Sequence, residues 1–249
     1  MTINKMPSTT ATGLRTRGRS LHAALADELG LRIARGDYPV GSPLPREGQL
    51  FETFGVSRPV LREAIKALAS KGMLESRQRR GTIVLPRSRW NLLDPDILGW
   101  DAVSEDLVML RHLTEVRMII EPGASELAAI RQNVALIDAV ETAFAAMVSF
   151  VDDTPRYLVA DRDFHLAVLA ASENDYLQSI GSLISTVLRA SLRITNPTPK
   201  LNRASLGLHE QLLSALRQGD GPGAAHASRI QLGDAMKRLS AYARKRLAK

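Results

Sequence analysis

Apolar residues recur every three or four positions along most of the chain and alternate in one short stretch only. Leu21, Leu25, Leu29 and Ile33 share one face of a helix that Ser20 can cap and Gly36 ends. GDYPVGSPLP is a loop by its Gly and Pro content. A short helix follows, with Leu50, Phe51 and Phe54 as its core face, and stops at Gly55. Ser57 caps a further helix running to about Lys71, with Val60, Ala64 and Leu68 inward and Gly72 as its stop. Pro59 falls in its first turn, where a missing N–H costs nothing. Met73–Arg77 and Thr82–Leu85 alternate instead, as two short strands joined through Gln78, Arg79, Arg80 and Gly81.

Beyond Pro86 the pattern changes twice. PRSRWNLLDPDILGWDAVSED has the Pro and Asp content of a linker, placed at 87–104, but Trp90, Leu92, Leu93, Ile97 and Trp100 predict that it packs. From 105 to 246 the period is helical throughout. Leu107, Leu110, Leu113, Val116 and Ile120 open it, Pro122 predicts a kink, and helices follow at about 134–150, 154–172, 175–195, 202–218 and 221–246. NPTP and GDGP separate the last three. The expected fold is mainly α: a winged helix-turn-helix over 20–86, then an all-α antiparallel bundle of six or seven helices. Residues 1–19, polar and without periodicity, predict a disordered arm.

Composition narrows the class. No apolar run approaches a membrane span, and the N-terminus lacks the apolar core of a secretory signal. The chain has no Cys, which excludes a disulfide framework or a thiolate site; a cytoplasmic protein is the plain expectation. The net charge of +7 is unevenly placed. Residues 1–90 hold 16 Lys and Arg against 7 Asp and Glu, a net of +9, and residues 91–249 hold 17 against 19, a net of −2. The basic excess therefore sits where the helix-turn-helix lies, as expected if one domain meets phosphates and the other does not. Arg58 and Arg62 lie one turn apart on the outer side of the second helix, whose leading end enters the major groove in this motif.

LPREGQL…FGVSRPVLREAIKALASKGMLESRQRRGTIV resembles the winged-helix domain of GntR-type transcription regulators over about 65 residues in order and spacing. The resemblance implies double-stranded DNA as partner. It places Ser57, Arg58, Pro59, Val60 and Arg62 at recognition-helix contact positions, and Arg80 and Gly81 at the wing tip. Arg58 is then the candidate for a bidentate guanine contact, Arg62 and Ser57 for phosphate, and the wing Arg for the minor groove or backbone. The family pattern Leu-Pro-x-Glu-Arg-x-Leu has Gly48 here at its DNA-touching Arg; Arg46, two residues earlier, is the available substitute.

In the bundle, Asp161 and His165 are four apart and project from one helix face, and His209 opens the LHEQLLSAL helix. From spacing alone this is either a surface or capping pair, or part of an Asp-plus-two-His set that Zn²⁺, Ni²⁺ or Mn²⁺ accepts. D-x-x-F-H with a downstream Ser172-x-Asn174 and a later helix-opening His is similar to the FCD effector domain of the FadR subfamily. That resemblance implies a metal held by Asp161, His165 and His209, a carboxylate effector anchored on it, and Asn174 among the pocket residues. The domain's third His falls at Gln231, a poor ligand, so the site is either three-ligand or metal-free with direct hydrogen bonds to the effector. His226 is turned about 140° from Gln231 on a helix and is no substitute. Arg117, Arg189 and Arg238 are the cations an anionic effector would need, each with the alternative of a buried ion pair, for instance with Glu121 or Glu126.

The WNLLDPDILGW wording and the missing His are similar to the galactonate-responsive branch of that family and imply a sugar-acid effector such as galactonate or another aldonate. The expected function is a homodimeric DNA-binding regulator, a repressor in this branch, that leaves a pseudo-palindromic operator when a small carboxylate binds. The alternative is a metal-dependent hydrolase of a small acid, carried on Asp161, His165 and His209 with the basic domain as an accessory. It lacks an evident general base or nucleophile beside the cluster and any Gly-rich phosphate loop.

Overall fold

The computed structural model describes residues 20–104 and 107–247, so the expected arm at 1–19 lies outside the described residues. Two compact units divide the chain, Met1–Ser104 and Glu105–Lys249.

In the first unit α1 (Leu21–Arg35), α2 (Glu47–Phe54) and α3 (Arg58–Ser70) enclose a core of Leu25, Leu29, Leu50, Phe54, Leu61, Leu68 and Met73. Gly36 ends α1 in the left-handed region at φ 84°, where its amide reaches back to the Arg32 and Ile33 carbonyls. Ser57 holds the N-cap position of α3 with extended backbone, but its side chain makes no capping hydrogen bond; the expected cap of α1 by Ser20 is missing in the same way. Leu61, fully buried, takes the inward place expected of Val60, which is only half-buried. One residue along a helix turns the side chain by about 100°, enough to exchange the two faces. The wing pairs β1 (Leu74–Arg77) with β2 (Gly81–Val84) antiparallel, Leu74 opposite Val84 and Arg77 opposite Gly81.

The 87–104 segment is part of this unit. A 3₁₀ turn at Arg87–Arg89 leads to α4 (Pro95–Ser104), and Trp90, Ile97 and Trp100 join the first core. The Trp90 indole N–H donates to the Leu85 carbonyl at 2.8 Å, and the Lys71 ammonium holds Asp94 at 2.7 Å and Asp96 at 2.9 Å. Leu92 and Leu93, expected to pack, are 43% and 57% exposed.

The second unit is α5 (Leu107–Arg131), α6 (Val134–Ser149), α7 (Thr154–Ala171), α8 (Asp175–Thr195), α9 (Pro199–Gln218) and α10 (Gly221–Leu247). α5 continues through Pro122 as one helix. α9 begins at Pro199, three residues before the expected start, because Thr198 caps it and Pro199 suits a first turn. α10 packs on α5 and α9, and α6 on α7. The core of Val140, Met147, Tyr157, Phe164, Leu212 and Leu216 is apolar, yet Arg117, Glu121, Asp161, His165, Asn196, His209 and Gln231 are buried beside it. Burying that many polar groups is costly unless they serve each other or a ligand.

Candidate functional site

Two sites answer to the two units. On the first, Ser57, Arg58 and Pro59 are exposed at the leading end of α3, and Arg62 follows one turn on, 3.7 Å from Glu47. The Arg58 guanidinium lies 5.8 Å from the centre of the Phe51 ring, so α2 supplies a platform for it. Val60 packs partly on the core and offers less of itself to a groove. Arg46, Arg79, Arg80 and Gly81 line one concavity between the start of α2 and the wing, which brings the two segments expected to flank DNA together. A side chain at Gly48 would meet nothing within 4 Å, so the place of the family Arg is open.

The second site lies inside the bundle. α7 carries Asp161 and His165 on one face, α9 brings His209, and α10 brings Gln231 and Arg238, with Asn196 at the end of α8 and Arg117 on α5. Asp161 Oδ1 sits 3.3 Å from His165 Nε2 and 3.4 Å from His209 Nε2. These approaches lie within ion-pair reach, yet Asp161 Oδ1 and His209 Nε2 form no hydrogen bond. His209 Nδ1 lies 2.8 Å from the Ser205 carbonyl, to which it donates, and this turns Nε2 toward Asp161 Oδ1. His165 Nδ1 lies 2.8 Å from Glu121 Oε2, and the Arg117 Nε–H donates to Glu121 Oε1 at 2.5 Å.

The charges follow from this packing. Burial works against the ionised form of Glu121, but Arg117 and His165 outweigh it and bring its pKa down to about 2. Burial opposes ionisation of Asp161 too, and His209 and His165 nevertheless hold its carboxyl below the ordinary range. Burial likewise opposes a charged His165, while Glu121 and Asp161 favour it, and its pKa is raised.

The donor set fits a metal. A tetrahedral ion with bonds of about 2.1 Å places its ligands about 3.4 Å apart, the spacing of Asp161 Oδ1 from both imidazoles. Both His carry an outer partner on Nδ1, as metal-bound imidazoles do. The three residues form one buried group whose ligand atoms lie within 4.8 Å of one another.

One expected residue needs revision, and a second is not described. Asn174 does not line the cavity; its side-chain oxygen accepts from the amides of Tyr176 and Leu177 as the N-cap of α8. Arg189 falls on α8, and its side chain lies outside the described residues. Arg117 and Arg238 do line the cavity, but both are engaged. Arg117 pairs with Glu121, and Arg238 pairs with Asp234 at 2.7 Å and donates to Asn196 Oδ1 at 2.7 Å. Asn196 was missed: its amide donates to Asp161 Oδ2 at 2.9 Å, a role hidden in a sequence that reads only as a Pro-containing break.

A basic winged helix-turn-helix joined to a helical unit with an internal polar cavity defines a DNA-binding transcription regulator with its own small-molecule effector domain. The chain belongs to the GntR family. Residues 21–84 match the family model "Bacterial regulatory proteins, gntR family", and residues 112–233 match that of the FCD domain. It is 34% identical to the galactonate operon transcriptional repressor of Escherichia coli K12 over 213 residues, 85% of this chain and 93% of that one. It is 29% identical to the regulator LutR of Bacillus subtilis over 215 residues, 84% and 97% of the two chains. Among solved structures, Streptococcus agalactiae GntR superposes with a TM-score of 0.50 at 26% identity over 87% of this chain and 99% of that one. Listeria monocytogenes Lar shares the fold, with a TM-score of 0.63 at 19% identity over 90% and 99% of the two chains.

Proposed function

We propose that this regulator represses genes of sugar-acid catabolism as a homodimer on a pseudo-palindromic operator, and that an aldonate such as galactonate, anchored on a divalent metal in the bundle, releases it. The observation that carries this is the set of buried atoms without a protein partner on one cavity: Asp161 Oδ1, His209 Nε2 and both amide atoms of Gln231. An anion brought there alone would meet the ionised Asp161 with both arginines of the wall already engaged. A Zn²⁺, Ni²⁺ or Mn²⁺ ion on Asp161, His165 and His209 supplies the missing positive charge and a Lewis-acid anchor for a carboxylate. Sequence similarity to the galactonate operon repressor supports the choice of acid.

The free volume of the cavity is about 30 Å³, room for an ion or a water but not for a sugar acid. Effector entry therefore parts its walls, and two states of the bundle with different effector affinity are what regulation requires. Val116 and Ile119, about one turn apart on α5, are 38% and 79% exposed, an apolar patch that suits a second copy. The test is a thermal-shift and operator-release assay of the full chain with galactonate and other aldonates, each with Zn²⁺, Ni²⁺, Mn²⁺ or chelator. Metal should raise the melting temperature, and the aldonate should raise it further and free the DNA only when metal is present. Release that survives chelation refutes the metal; DNA affinity that no acid alters refutes the effector.

At the other site, Arg58→Lys keeps the charge and loses the fork. Operator binding should drop by about 1–3 kcal/mol while non-specific DNA binding stays. Competition titrations against random duplex measure both, and unchanged discrimination would remove Arg58 from base reading.

A further inference from the structure

The geometry points to Gln231 as the residue that selects a polyhydroxy acid, by receiving two neighbouring hydroxyls of the effector on its amide; this deepens the effector reading above and rests on it. Gln231 is 6% exposed on α10 and lines the cavity, and neither its Oε1 nor its Nε2 has a hydrogen-bond partner among the described residues. An unpaired buried amide is costly, so a side chain kept in this state belongs with a ligand that satisfies it.

The chemistry of the amide restricts that ligand. Oε1 only accepts and Nε2 only donates, and the two lie side by side. A carboxylate would satisfy Nε2 and set a negative oxygen against Oε1. A hydroxyl both donates and accepts, so a vicinal diol engages the two amide atoms together. Gln231 also offers no strong donor to an ion, unlike Asp161, His165 and His209, and this separates its task from theirs. The rest of the wall leaves that task to Gln231. One and two turns further along α10, Asp234 and Arg238 pair with each other, and Arg238 also donates to Asn196 Oδ1 and to the carbonyls of Thr195 and Leu201. The metal would then fix the acid end common to all small carboxylates, and Gln231 would reject those without adjacent hydroxyls, since a site built to hydrogen-bond a hydroxyl discriminates strongly against its absence.

Calorimetric titration of the full chain with galactonate, gluconate and lactate, with and without Zn²⁺, tests this in the wild type, Gln231→Met and Gln231→Glu. The wild type should prefer the two polyhydroxy acids to lactate. Gln231→Met should weaken those two by about ten- to a hundredfold, move lactate by no more than about twofold, and leave Zn²⁺ affinity in place, which also shows that the site is folded. Gln231→Glu keeps size, removes the donor and should weaken the same two acids. No wild-type preference, retained galactonate affinity in Gln231→Met, or equal losses for lactate and galactonate would each overturn the assignment. Loss of Zn²⁺ affinity in Gln231→Met would make it a ligand and overturn it as well. A Gln231-dependent preference that persists without Zn²⁺ upholds Gln231 and sinks only the metal.

Discussion

Replacing Asp161 by Asn is expected to erase metal binding while the protein remains folded and able to hold its operator. Asp161 and Asn have the same shape, and the cavity can accommodate the exchange without strain. The Asn196 amide now donates to Asp161 Oδ2, and an Asn oxygen would still accept that bond. The new NH₂ would face His209 Nε2, which has no hydrogen-bond partner in the native cavity. What the variant cannot do is ligate, because an amide nitrogen has no free lone pair and the negative charge is gone. At a hundredfold excess over its dissociation constant a bound ion stabilises by about 2.7 kcal/mol, so the variant should lose a metal-induced rise of about 5–10 °C. Aldonate should then fail to release DNA at any metal concentration. Differential scanning fluorimetry with a metal titration, run beside an operator-binding assay, reads both. A variant that keeps the full metal shift would place the ion elsewhere, and one that loses operator binding would show that Asp161 serves the fold.

The same cavity shows what the sequence could and could not say. The Asp161–His165 pair was legible because four residues on a helix set a common face whatever surrounds it. Arg117 and Glu121 were legible as a pair for the same reason, but their grip on His165 Nδ1 comes from the packing of α5 against α7. Asn196 was not legible at all. It stands at a helix end before Pro197, where the local chemistry says only that the helix stops, and its bond to Asp161 depends on how α8 meets α7. Asn174 shows the converse: a residue singled out by its motif serves the local backbone instead. In the DNA-binding unit Gly55 and Gly72, both in the left-handed region, bounded α3 well, because such turn signals act within a few residues; Ser57 marks the N-cap position without the side-chain bond that chemistry predicts. The face assignment at Val60 and Leu61 failed because adjacent apolar residues leave the helical phase ambiguous.

The linker expectation was half right, and Gly30→Ala is the sharpest test of what replaces it. Trp90 and Trp100 were expected to pack, but the pattern did not say against what; they pack on the DNA-binding unit itself, and α4 lies on α1. A Cβ at Gly30 would stand 2.5 Å from two atoms of the Trp100 six-membered ring and 2.7 Å from a third. The indole is rigid and buried, so it cannot yield by a rotamer of its far end. In an exposed helix, Gly→Ala stabilises by about 1 kcal/mol. Here the overlap should cost more than that gain, since overpacking of a filled core costs about 1–3 kcal/mol and this one displaces a whole ring. Gly99→Ala, on α4 itself, supplies the control, because its added Cβ meets nothing within 4 Å and only the helical gain remains. The two variants should therefore move the melting temperature in opposite directions, with Gly30→Ala also shifting tryptophan emission to the red as Trp100 leaves its seat. If both variants stabilise, α4 does not rest on Gly30. If Gly30→Ala behaves as expected, the segment after the wing is a built part of the reading head.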